Sequence, residues 1–131
     1  MSARQRDDEL EDVVFETEKL YRAFLFQLNE PNSDLSAIQS AFRDFMVAKR
    51  HICHHLDERI KRNTEFKNQL TEFPGFPVVQ HIVSNIREQL PELERIIETD
   101  QRRLNNFKSS AADGQKQFDE YLQQWNPNLR W

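Results

Sequence analysis

Residues 35–56 read LSAIQSAFRDFMVAKRHICHHL. Leu35, Ile38, Phe42, Phe45, Ile52 and Leu56 fall on alternating steps of three and four, with Lys49 at the one rung that is not apolar. That period lays side chains along one narrow stripe of an α-helix, and a helix carrying such a stripe must bury it against another helix. The phase is kept onward through Arg59, Asn63, Phe66, Leu70 and Phe73. A second ladder runs Val79, Val83, Ile86, Leu90, Leu93, Ile97, Asp100, Leu104, Phe107, Ala111, Gly114, Phe118, Tyr121, Trp125. A third, shorter one precedes both: Leu10, Val14, Thr17, Tyr21, Phe24, Leu28.

The ladders predict an all-α chain: a single domain over 1–131, an elongated antiparallel three-helix bundle of coiled-coil type. The first helix is expected over about residues 7–29, the second over about 35–73, and the third over about 78–125. An irregular tail, 126–131, follows. Glu30-Pro31-Asn32-Ser33-Asp34 combines a helix breaker with side chains suited to cap the next helix. Pro74-Gly75-Phe76-Pro77 is the strongest turn signal. Pro91 removes one helical hydrogen bond, but the ladder keeps its register across it, so a kink is expected rather than a loop. Gly114 and the small residues before it, from Ser109, mark a second place where the third helix is open to a break. Acidic residues Asp7, Asp8, Glu9, Glu11 and Asp12 are expected to open the first helix, where its dipole favours negative charge, and to lie beside Arg50, His54, His55, Arg59, Lys61 and Arg62.

At 1.5 Å per residue the helices would measure about 35, 58 and 70 Å. The first is too short to cover the others beyond about Leu56 and Leu93. A two-helix extension ending at the Pro74 to Pro77 tip follows.

Composition agrees with exposed helices. Only two of 131 residues are glycine, while 31% are charged, and glycine inside a helix costs roughly 1 kcal/mol against alanine. Ten phenylalanines supply core and argue against disorder. A net charge of -4 provides no basic field for nucleic acid, so none is expected as a partner. The single cysteine, Cys53, excludes an internal disulfide and fits a reducing compartment, so an intracellular place in cytoplasm or nucleus is expected. There is no apolar run of spanning length and no signal peptide pattern, hence no membrane span is expected.

Chemistry-bearing clusters are few. His51, Cys53, His54 and His55 have zinc-ligand atoms, but Ile52 on the seam sends them to diverging faces, and no second ligand pair closes a tetrahedral site. Glu88 with Glu92, and Glu94 with Glu98, have one-turn spacing without the Glu-x-x-His motif of di-metal helices. The basic residues Lys49, Arg50, Arg59, Lys61, Arg62 and Lys67 are interleaved with Asp57, Glu58 and Glu65 and read as a solvated face. No catalytic, cofactor-binding or metal site is expected, and the chain reads as non-enzymatic.

Two sets of residues carry the functional expectation. Lys49, Arg59, Asn63 and Asp100 interrupt the seams, and buried polar residues can set register or partner choice. Folding about the Pro74 to Pro77 turn places Asn63 near Ile86 to Leu90 and pairs Lys49 with Asp100. The second set is apolar residues beyond the first helix's cover: Phe66, Leu70, Phe73, Phe76, Val79, Val83 and Ile86, with Trp125, Leu129 and Trp131 at the other end. Large aromatics outside a core are what anchored interfaces use. Partners are therefore expected to be other helical proteins of a larger coiled-coil complex, with a self-associating homo-oligomer as the alternative and peripheral membrane binding a remote one. Three-helix modules of this outline occur in vesicle-tethering, kinetochore or cytoskeletal, and transcription-coactivator assemblies, an analogy of shape only.

Overall fold

The computed structural model describes residues 3–71 and 80–125, with side chains for 9–71 and 88–124. Within them the chain is all-α: α1 spans Ala3–Asn29, α2 Leu35–Thr71 and α3 Gln80–Trp125. At 37 and 46 residues, α2 and α3 are longer than the 27-residue α1. The expected turn at Pro74 to Pro77 and the tail 126–131 lie outside the described residues.

The α1–α2 link works as its residues dictate. The Ser33 amide donates to the Glu30 carbonyl, and the Asp34 carboxylate accepts from the Ala37 amide at 2.7 Å, capping the first turn of α2. α1 starts earlier than the acidic cluster suggested, and its first turn holds no acidic residue. Because the dipole effect fades beyond the first turn, Asp7 to Asp12 do not serve as the dipole partners expected of them.

Contacts gather into two compact units. Among the described residues the first takes 3–53 and 106–125, the second 54–71 and 80–105. In the first unit three helical segments share a core in which Phe24 and Ile38 are fully buried and Phe118 nearly so. Tyr21 meets Phe45 and Phe24 meets Phe42, each with ring centroids 4.9 Å apart, so α1 runs antiparallel to this part of α2. Phe42 stacks on Phe118 at 5.2 Å, bringing in α3. Thr17 is buried without cost to hydrogen bonding because its hydroxyl donates to the Val13 carbonyl at 2.7 Å. Every one of these residues but Val13 lies on the three ladders.

α3 is continuous through both candidate breaks. Pro91 sits inside the helix, so the loop alternative does not occur. Residues 109–114 stay helical too, with Ala111 and Gly114 buried. A Cβ built on Gly114 would meet Phe24 Cε2 at 3.4 Å and Phe42 Cε2 and Tyr21 Cε1 at 3.6 Å. The backbone of α3 therefore lies directly on the aromatic cluster, and this packing outweighs glycine's propensity cost of roughly 1 kcal/mol. Those distances are ordinary contact, so Gly114→Ala is expected to stabilise the fold by about 0.5–1 kcal/mol, whereas Gly114→Leu overpacks it and costs about 1–3 kcal/mol. Urea unfolding of the two variants checks this; a loss of stability on adding one methyl would mean the rings leave less room.

In the second unit α2 and α3 lie antiparallel. Arg59 is paired with Asp100, and Lys67 with Glu94 at 3.3 Å, so each step forward on α2 is a step back on α3. Leu56, Asp100 and Leu104 are its buried ladder residues.

Candidate functional site

The polar seam comes together differently from the pairing expected. Asp100 is fully buried, and its partner is Arg59. The guanidinium donates Nε–H to Oδ2 and an Nη2 hydrogen to Oδ1, both at 2.6 Å, a bidentate fork that satisfies both carboxylate oxygens. Arg103 Nη1 stands 4.0 Å from Oδ1, one turn along α3. Arg59 itself keeps only 12% of its side-chain surface. Lys49, assigned to Asp100 from the sequence, is half-buried in the first unit and forms no ion pair among the described residues. The pairing failed because it assumed a fold-back symmetric about the Pro74 to Pro77 turn. The two observed ion pairs instead place Asn63 level with Ile97, not Ile86 to Leu90, an offset of about 10 Å or more at 1.5 Å per residue.

Asn63 is half-buried, as is Leu70, while Phe66 is 46% exposed although it occupies a rung of the α2 ladder. Phe45, Ile52 and Leu56, on earlier rungs of that ladder, are buried. Val83 and Ile86 lie in the helical backbone of α3, but their side chains are outside the described residues, as is that of Trp125. Phe73, Phe76, Val79, Leu129 and Trp131 are outside them altogether. Phe66 and Leu70 are thus the expected contact residues that the structure places.

Thr64, Lys67, Glu94, Ile97 and Glu98 line a shallow groove on the second unit. The Lys67–Glu94 pair spans it, so it is a polar surface furrow rather than an apolar ligand cleft. Arg95 donates hydrogen bonds to Glu92 and holds that carboxyl below its ordinary range. Both side chains are exposed on α3's surface. In the first unit burial, aided by Asp113, pushes the Tyr21 phenol up. None of these is a nucleophile set beside a base. His51, His54 and His55 are exposed whereas Cys53 is a buried thiol in no disulfide. Among the described residues no three His, Cys, Asp or Glu side chains converge on a metal position, and no helix is long and apolar enough to cross a membrane.

Two exposed phenylalanines were missed from the sequence. Phe15 is 58% and Phe26 66% exposed, both on the side of α1 away from its ladder. They belong to a further three-and-four series, Asp12, Phe15, Lys19, Arg22, Phe26, all exposed. Spacing alone would have found it, but three charged members hide it from a hydrophobic reading.

The chain matches no protein-family model, no curated protein and no solved structure.

Proposed function

We infer that this chain is a non-enzymatic helical interaction module, working inside the cell as a subunit or adaptor of a larger coiled-coil complex. The observation that supports the reading is Phe66: a large aromatic on the seam of a two-helix unit, nearly half of it in water while the earlier apolar rungs from Phe45 to Leu56 are buried. An exposed aromatic at a core position is stabilised by a third helix laid along the pair, and burying a phenylalanine side chain contributes about 1.5–3 kcal/mol. Leu70, one turn on and half-exposed, extends the same rung series.

The reading is tested by affinity capture from native extract with the full chain, a Phe66→Ser/Leu70→Ser variant and a chain lacking Trp125 to Trp131. Partner recovery is expected to fall at least tenfold for the double substitution, about 1.4 kcal/mol or more. Undiminished recovery from both altered chains sinks the proposal.

A further inference from the structure

Asp100 has no exposure, while both cations at its carboxylate reach water: Arg59 keeps 12% and Arg103 26% of its side-chain surface. Among the described residues these are the charged groups within 4.0 Å of it, one from α2 and one from α3 itself. They hold it differently. Arg59 donates two hydrogen bonds of 2.6 Å, which occupy about half of the roughly four lone-pair sites of a carboxylate. Arg103 Nη1 stands 4.0 Å from Oδ1, within Coulombic reach but about 1 Å beyond a hydrogen bond. Its place on the helix favours closing that gap. A helical side chain leans over the turn N-terminal to it, so a residue three places after Asp100 reaches back across the carboxylate, and acid before base is the favourable order along a helix.

We propose that Asp100 is the fixed centre of an ion-pair exchange. When Arg59 lets go, Arg103 closes onto the carboxylate from within α3, and the Arg59 head group turns to water. The clasp between α2 and α3 then opens at this rung with the buried charge still paired. Which group moves is set by the side chains. The carboxylate sits on a short stem without access to solvent, whereas each guanidinium ends a long stem that already touches water. Losing a sole partner would strand a buried charge, the most costly way to break such a pair. A second guanidinium one turn away removes that cost from the opened state. α2 is thereby able to loosen from α3 here without unfolding of the whole second unit, and the exchange does not depend on the Phe66 surface.

Native-state hydrogen exchange and urea unfolding of the full chain test the exchange. Arg103→Gln removes the second cation and leaves both Arg59 hydrogen bonds in place, so the folding equilibrium should change by less than about threefold. The α2 amides from Leu56 to Asn63 should nevertheless exchange at least about threefold more slowly than in wild type, because opening now strands Asp100. Coupling gives a second readout. In an Arg59→Gln chain, where Arg103 is the remaining cation, Arg103→Gln should cost at least about tenfold. The pH dependence has a definite sign. With both cations replaced, burial raises the folded-state pKa of Asp100 above its unfolded value, so stability relative to wild type is greatest at low pH and falls as pH rises from about 4 to 7. Arg59→Gln alone should run parallel to wild type over that range, and Arg59→Gln/Arg103→Lys should do the same. Unchanged α2 exchange in Arg103→Gln overturns the proposal, as do additive costs for the two substitutions. Should the doubly substituted chain not fold, the α2 exchange rates of Arg103→Gln, whose main ion pair is intact, decide the matter alone.

Discussion

Asp100→Leu is expected to lower the unfolding free energy by about 3 kcal/mol, read as a fall in the urea midpoint with an unchanged slope. The cause is the partner left behind. Arg59 delivers two 2.6 Å hydrogen bonds to a carboxylate with no exposure, and only 12% of its own side chain reaches water. Without the carboxylate a guanidinium stays desolvated, and a buried pair broken on one side typically costs about 3–5 kcal/mol. The small remaining exposure of Arg59, which lets water reach part of the charge, puts the value at the lower end. Arg59→Leu combined with Asp100→Leu should recover most of the loss, because the cost lies in leaving the largely desolvated Arg59 charge without its bidentate carboxylate. What the double variant should lose is register. Spin labels at Lys61→Cys and Glu98→Cys, in a Cys53→Ala background, are expected to give one sharp distance with the ion pair present and a broadened distribution without it. A double variant as unstable as Asp100→Leu alone, or one with the same sharp distance, would remove the register-setting role from this pair.

Phe24→Ala carries the largest expected core effect, about 3–5 kcal/mol. The ring is fully buried, sits 4.9 Å from Phe42 and 6.3 Å from Phe118 between centroids, and has its Cε2 3.4 Å from where a Cβ on Gly114 would stand. A cavity is costly where its lining cannot collapse. Gly114 has no side chain to move into the void, and the stacked Phe42–Phe118 pair would have to give up its own contact to fill it. Hence the upper half of the range is expected. Phe26→Ala, two residues on, should stay within about 0.5 kcal/mol of wild type because its ring is exposed. Thermal unfolding of the two variants makes the comparison; near-equal losses would mean that α1 does not bury the face assigned to it.

Most of the helical architecture was legible in the amino-acid order. Heptad spacing is a local property, so Leu10, Val14, Phe24, Ile38, Phe45, Ile52, Leu56, Leu104, Phe107 and Phe118 could be placed on buried stripes before any partner helix was known, and each is buried. Arg59 and Asp100 were likewise recognisable as polar rungs. Their union was not, because axial offset between two helices depends on how their side chains interlock along the whole contact, and a turn motif does not set it. The same holds for Gly114: intrinsic propensity favours a break at glycine, and only the aromatic cluster lying against that position makes a small residue there a packing requirement.

Exposure was the other thing that pattern could not supply. Phe66 reads as a core rung like Phe45, yet one is nearly half in water and the other buried, since burial depends on how many helices surround a rung and not on the rung's residue. Phe15 and Phe26 look unremarkable in the sequence, because the other members of their three-and-four series, Asp12, Lys19 and Arg22, are charged. They become an outer seam only when the inner face of α1 is known to be filled. Period along the chain therefore determined the helices and their inward stripes, because side-chain direction in a helix repeats every few residues whatever lies nearby. Tertiary packing decided register, ion-pair partners and the aromatics left in water, because each depends on contacts between segments that sequence spacing does not relate.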